Sequence, residues 1–284
     1  MEKTLLSIGH GYSARALEER LLPQDWSIIA TTRSDEKAAR LAARGLDAQI
    51  WPGTELPLED VRHVLISVSP DQGSDPVLDA CAEQFEGATH LRWIGYLSTV
   101  GVYGDHKGAW VDEGSLTQPV LARSQARLKA EAAWQKVAAR AGAPLHIFRL
   151  AGIYGPGRGP FEKLRKRQAQ RVIKPGQYFS RIHYEDIGSA LELAMTSGLG
   201  NRIFNLCDDS PAPPQDVLEH AAQLLGIAPP PEVDFEQADL SPMARSFYRD
   251  NKRVRNDRLK IDLGWQPRYP DYRRGLSAIL AAEG

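Results

Sequence analysis

Short apolar runs alternate with longer stretches of mixed polarity along the chain. The runs are Leu5–Ile8, Trp26–Ala30, Val61–Val68, His90–Leu97 and Leu145–Leu150, each short enough for a strand buried on both faces. Between them the spacing turns helical. Ser13–Leu22 sets Ala16, Leu17, Leu21 and Leu22 near one face, and Asp35–Arg44 is rich in Ala, Arg and Lys with Gly45 as a stop. Pro119–Arg140 is Ala-rich, directs Leu128, Ala132 and Val137 inward, and ends at Gly142. This alternation predicts an α/β protein built on a Rossmann-type doubly wound parallel sheet.

The rhythm breaks near residue 155. Gly155–Pro160 is dense in turn residues, a basic stretch runs from Lys163 to Arg171, and proline clusters follow at Pro211–Pro214 and Pro229–Pro231. Residues 1–155 and 181–203 are therefore assigned to the Rossmann domain. Residues 156–180 and 204–284 are assigned to a smaller C-terminal substrate lobe.

Composition narrows the class. The chain of 284 residues carries a formal charge of −1, without the basic excess that nucleic-acid and anionic-membrane binders usually show. Its 42% hydrophobic and 25% charged residues are those of an ordinary globular protein. Two cysteines, Cys81 and Cys207, build neither a disulfide framework nor a four-thiolate metal site. No apolar run approaches the ~18 residues of a membrane helix, and Glu2 and Lys3 lead straight into the first strand without a signal-peptide layout. The expected location is the cytoplasm. No HExxH, paired CxxC or GxSxG pattern occurs, so neither a metal centre nor a serine-hydrolase elbow is expected.

The candidate chemistry begins at the first turn. Gly9-His10-Gly11-Tyr12-Ser13-Ala14 matches G-x-G-x-x-A between a strand and a helix. The first glycine permits a tight turn, the second lets backbone approach a pyrophosphate, and the small last residue lets helix and sheet pack closely. The helix N-terminus then offers free N–H groups to phosphate. At the end of the second strand stand Thr32, Arg33 and Ser34. Arg33 lies 24 residues after Gly9, about where an acid would hold the ribose hydroxyls of NAD. A guanidinium there pairs with a 2′-phosphate instead, so NADP(H) is expected over NAD(H).

Further segments follow in a familiar order: Tyr96-Leu-Ser-Thr-Val-Gly-Val-Tyr-Gly104, Phe148-Arg-Leu-Ala-Gly-Ile-Tyr-Gly-Pro156, Arg181-Ile-His-Tyr-Glu-Asp-Ile187, Phe204-Asn-Leu-Cys-Asp-Asp209 and Leu263-Gly-Trp-Gln-Pro267. Together they resemble the extended short-chain dehydrogenase/reductases, the NAD(P)-dependent epimerase/dehydratase family, over nearly the whole chain. The Asn251–Asn256 segment resembles an atypical bacterial subgroup. The resemblance implies an oxidoreductase or epimerase-like activity on a small, polar, sugar-like molecule, and a homodimer through the long helix. It assigns the substrate-oxygen contact to Thr99, with Ser98 beside it.

The family's Tyr-x-x-x-Lys pair does not carry over. Glu131 matches the acid that follows it, which sets Arg127 in the Lys position and Arg123 in the Tyr position. Arg127 retains a cation to hold ribose hydroxyls, but no arginine replaces a phenol as acid and base. The replacement candidates are Tyr103 and His183, with Tyr154, Asp105 and His106 at the same rim. The basic groups at Lys163–Arg171 and at Arg245, Arg249, Arg253 and Arg255 suggest an anionic substrate. The competing reading is a sensor or scaffold that binds NADP(H) without turnover, and the missing tyrosine favours it.

Overall fold

The computed structural model describes residues 3–71 and 73–283. The first half of the chain runs β1 (Thr4–Ile8), α1 (Tyr12–Leu21), β2 (Ser27–Thr32), α2 (Asp35–Ala42), β3 (Asp47–Ile50), β4 (His63–Ile66), α3 (Pro76–Gly87), β5 (Trp93–Thr99), β6 (Trp110–Val111) and α4 (Ala122–Ala141). It continues through β7 (Leu145–Leu150), β8 (Gly152–Tyr154), α5 (Phe161–Arg165), β9 (Arg171–Ile173), β10 (Arg181–His183), α6 (Tyr184–Thr196) and β11 (Arg202–Leu206). The remainder is α7 (Pro214–Leu224), β12 (Glu232–Asp234), α8 (Pro242–Phe247), β13 (Arg253–Val254), α9 (Asp257–Leu263) and α10 (Tyr272–Ala281).

Seven strands form one parallel sheet in the order β11-β7-β5-β4-β1-β2-β3. The order reverses between β1 and β4, which opens a crevice at the carboxyl ends of those strands. Alternation along each strand divides the core. Leu5, Leu65, Trp93 and Phe148 pack against α1 and α6 on one face, and Leu6, Val64, Ile94 and Ile147 pack against α3 and α4 on the other. These side chains are essentially inaccessible, and each such burial contributes roughly 1.5–3 kcal/mol. Gly188 permits the tight α1–α6 packing, because a Cβ there would run into the Ala16 carbonyl.

The expected strands and helices are present, the chain adds α3 and the edge strand β11, which the patterning did not mark, and three further points differ. Strand β3 went unanticipated because Asp47–Ile50 is an edge strand, half-exposed and without an apolar run. On α4 the expected Val137 is buried and Leu128 is half-buried against a small core cluster, but Ala132 faces solvent; Ala130, Trp134 and Ala138 complete the inward face. The division of the chain also shifts. Strand β11 stays in the main sheet to Leu206, and Leu259 and Trp265 return to the main core. A second core gathers Tyr154, Phe161, Val217, Tyr272 and Leu276, and small sheets pair β8 with β10, β9 with β12 and β6 with β13, of which β8 and β10 turn Ile153 and Ile182 into the main core.

Candidate functional site

The glycine turn follows β1 at the crevice. Gly9 has φ +75°, and a Cβ there would stand 2.6 Å from Val68 Cγ2, so glycine is required on both counts. Its amide donates to Thr31 Oγ1 at 2.8 Å, and the His10 amide donates to the Thr31 carbonyl at 3.0 Å. The His10 ring turns inward, with Nδ1 2.9 Å from Ser7 Oγ and Nε2 2.9 Å from Glu18, which also pairs with Arg44. His10 thus braces the turn from behind, and only its backbone belongs to the turn's outer side.

Gly11 differs. A Cβ there would meet nothing nearer than the Gly9 carbonyl at 3.6 Å. No side chain caps α1, and the Tyr12 and Ser13 amides have no partner among the described residues. Ala14 is buried against the core. An uncapped helix N-terminus beneath open space fits a phosphate. Tyr12 reaches across to the lobe, donating its hydroxyl to the Pro156 carbonyl at 3.0 Å, with the Arg158 guanidinium 5.6 Å from its ring centroid.

At the end of β2, Thr32 is buried and its Oγ1 accepts from the Ser34 amide at 3.4 Å. Ser34 caps α2 by accepting from the Lys37 amide at 3.3 Å. Arg33 is exposed and has neither a hydrogen bond nor an ion pair among the described residues. Beside it, burial and the Arg40 and Arg33 charges hold the Lys37 ammonium below its usual range. Cations gathered there raise one another's energy, which an anion would relieve.

A cleft of about 780 Å³ opens past the ends of β5 and β7. Ser69 and Pro70 line it, and the adjoining Val68 touches the glycine turn, so one loop joins the two. Thr99 and Arg127 both line it. Thr99 Oγ1 accepts from the Gly101 amide at 3.1 Å. Arg127 donates to the carbonyls of Val68 (3.2 Å) and Leu97 (2.8 Å), to the Tyr96 hydroxyl (3.0 Å) and to Ser69 Oγ (3.0 Å). It therefore ties the ends of β4 and β5 together. Arg123 spans the cleft mouth, donating to Ser246 Oγ at 2.8 Å, with its guanidinium 4.9 Å from the Phe247 ring centroid.

Tyr103 and His183 stand elsewhere. The Tyr103 hydroxyl donates to Asn205 Oδ1 at 2.7 Å and accepts from Arg149 at 3.1 Å, fully buried behind the cleft wall. Burial pushes its phenol up to about 12. His183 is packed between Tyr154 and Tyr269, and Nδ1 caps α6 by accepting from the Glu185 amide at 3.3 Å. Burial pulls its imidazole down to about 4. Neither lines the cleft beside Thr99.

Nor do the basic groups singled out from the sequence line it. Arg165 pairs with Glu283 and Lys166 with Glu162 at the surface. Arg245 donates to the Phe235 and Ala238 carbonyls, Arg253 to the Gly108 carbonyl, and Arg255 lies 3.5 Å from Asp257. The cations that do line the cleft are Arg123, Arg127, Arg181 and Lys252, of which the last two had not been anticipated. Lys252 is buried, donates to the Gly104 carbonyl at 2.8 Å and lies 3.5 Å from Asp250. No helix among the described residues is long and apolar enough to cross a membrane, and no metal-binding cluster occurs among them.

This architecture is that of the extended short-chain dehydrogenase/reductases of the epimerase/dehydratase type. More narrowly, the chain belongs to the family of a conserved protein of unknown function from Silicibacter pomeroyi: 54% identity, 99% of both chains covered, TM-score 0.94. The Escherichia coli K12 protein YeeZ is 27% identical over 95% of this chain and 97% of its own. The dTDP-glucose 4,6-dehydratase of Bacillus anthracis, solved with NAD, superposes with a TM-score of 0.79 at 15% identity, over 98% of this chain and 95% of its own. Further structural neighbours were solved with NAD or with NADPH. No family model matches the chain.

Proposed function

We propose that the protein is an NADP(H)-dependent oxidoreductase or epimerase-type enzyme acting on a small anionic substrate. The observation that carries this reading is the uncapped α1 N-terminus beneath Gly11, joined through Val68–Pro70 to a cleft lined by four cations. The Tyr12 and Ser13 amides would hold the cofactor's pyrophosphate. Arg33, with Lys37 beside it, would take a 2′-phosphate. A bound nicotinamide supplies a hydride donor or acceptor. Thr99 would orient the reacting oxygen. Arg127 keeps the β4 and β5 ends in register around it through Nη1 and Nη2, and its Nε, which bonds nothing among the described residues, would reach a ribose hydroxyl.

With Tyr103 and His183 away from the cleft, the lining residues able to exchange a proton are Tyr154, Tyr178, Tyr248, Asp250 and Lys252. A second reading, cofactor binding without turnover, is favoured by Arg123 in the position of the family's tyrosine. Calorimetric titration with NADPH, NADP⁺, NADH and NAD⁺ tests the proposal. The expected order is phosphorylated over unphosphorylated dinucleotide, and a folded protein that binds none of the four overturns it.

A further inference from the structure

Arg181 is the feature of the cleft that the family comparison leaves without a task. It lies on β10, where only its Nη1 is satisfied, by the carbonyls of Phe179 at 2.9 Å and Ala212 at 3.1 Å. Among the described residues its Nε and Nη2 have no partner, and no carboxylate lies within ion-pairing distance. That leaves the side-on edge of the guanidinium, the two-donor fork that fits an oxyanion. Asp208 and Asp216 act on it from beyond ion-pairing distance, and neither hydrogen-bonds it; the Asp208 Oδ2 is itself unpartnered. Burial holds the Arg181 guanidinium below its usual value. A half-buried cation with no carboxylate in direct contact is costly unless a ligand completes its hydrogen bonds.

The rest of the lining restricts what carries that charge. Tyr154, Tyr178, Phe179, Phe247 and Tyr248 supply a broad aromatic surface, with Phe179 and Tyr248 edge to face at 5.3 Å. Among the described residues the lining holds no Asn, Gln, Glu or His, and its one carboxylate, Asp250, already faces Lys252. Ser246 both accepts from Arg123 and donates to the Met243 carbonyl, while Thr99 and Ser180 each accept a backbone amide and keep their O–H for the reacting oxygen's side of the cleft. A multiply charged group fares poorly too. Lys252 is matched with Asp250, whose unpartnered Oδ1 would repel a second negative charge.

We propose that the cleft takes a flat, apolar organic acid, an aryl carboxylate, with its single carboxylate side-on to Arg181 and its ring against the aromatic wall. This rests on the reading of the cleft as a substrate site and replaces the sugar-like ligand with a narrower class. The dinucleotide's own phosphates do not compete for Arg181, since their proposed seat follows β1 whereas Arg181 lies on β10, paired with β8 beyond the end of β7.

The test is calorimetric titration of the full chain, free and saturated with NADPH, with benzoate, cinnamate and 2-naphthoate, their neutral amides, and UDP-glucose. At least one acid is expected to bind at least tenfold more tightly than its amide and more tightly than UDP-glucose. Arg181→Gln should remove that preference while Arg181→Lys restores part of it, with far-UV circular dichroism checking the fold. Equal affinity for acid and amide, no binding of any acid, or tighter binding of UDP-glucose overturns the proposal. The acid–amide comparison on the unaltered chain decides even if Arg181→Gln does not fold. Acid selectivity in a chain that binds no dinucleotide would overturn the cofactor reading and leave this one standing. Tight NADPH binding with no acid preference would do the reverse.

Discussion

Arg123 of α4 and Ser246 of α8 are 2.8 Å apart across the mouth of the cleft, donor to hydroxyl. The bond fastens a six-residue helix of the lobe to the Rossmann domain. An exposed hydrogen bond and cation–π contact contribute little to global stability, about 0.5–1 kcal/mol each. Their effect should be local. Arg123→Ala is expected to raise amide exchange over residues 242–248 about threefold or more while the sheet strands keep their protection. Unchanged exchange there would show that α8 is held by other contacts.

Cofactor choice is tested at the end of β2. Arg33→Asp removes the cation and sets an acid beside the ribose position. A charge-assisted contact is worth about 1.5–3 kcal/mol, so NADPH affinity should fall at least about tenfold while NADH affinity holds or rises. Equal losses for both cofactors would mean that Arg33 does not read the phosphate.

The glycine turn makes a different prediction. A side chain at Gly11 would enter open space rather than the core. Gly11→Val should therefore leave the melting temperature within a few degrees of wild type and weaken all four dinucleotides together. A folded variant with wild-type affinity would place the phosphates elsewhere.

Behind the cleft wall, Glu131 and Arg149 form a buried ion pair at 2.8 Å, with Ser98 donating to the same carboxylate. Glu131→Gln leaves the guanidinium without a counter-charge, at an expected cost of about 3–5 kcal/mol by urea denaturation. The double variant Glu131→Gln/Arg149→Leu should cost much less than the sum of the singles. Additive losses would mean that the two charges do not depend on each other.

Histidine burial gives stability a pH dependence of known sign. Burial pulls His183, and likewise His63, from an ordinary 6.5 down to about 4. Between those values the unfolded chain binds more protons, so this contribution is present at neutral pH and lost as pH falls from about 6.5 to 4. Each histidine adds a slope of at most about 1.4 kcal/mol per pH unit. Asp186 opposes them: burial raises it from 3.8 to about 6, so its contribution is lost as pH rises through about 6. The clean measurement is therefore a difference. His183→Gln should flatten the loss of the urea midpoint between pH 7.5 and 5 relative to wild type, and an identical slope would contradict the burial argument.

The main sheet was legible because its strands are apolar runs and its first turn has three small residues at fixed spacing. Strand β3 was not, since an edge strand needs only one buried face. On α4 only Ala132 was misplaced, because in an Ala-rich stretch an alanine reads as core on any face, whereas Trp134 sets the inward one. Within the site, the residues of the motifs were located and two of the cleft's cations were missed. A lone Arg or Lys in a sequence resembles any solvated cation. Arg181 and Lys252 reach the cleft through the pairing of β8 with β10 and of β6 with β13, and that juxtaposition of distant segments leaves no local pattern. Tyr103 and His183 sit at motif positions, but their side chains turn into the packing, which spacing does not reveal.

The Tyr12 hydroxyl bond to the Pro156 carbonyl joins the first residue of α1 to the first turn of the lobe. Dinucleotide and substrate sites that share such a strut are thermodynamically conjugate. If seating phosphate on the α1 amides shifts Tyr12, the altered lobe geometry changes cleft affinity by some factor, and a cleft ligand must change dinucleotide affinity by that same factor. Tyr12→Phe removes the hydroxyl and keeps the ring, so it alters the size of that factor while preserving its symmetry.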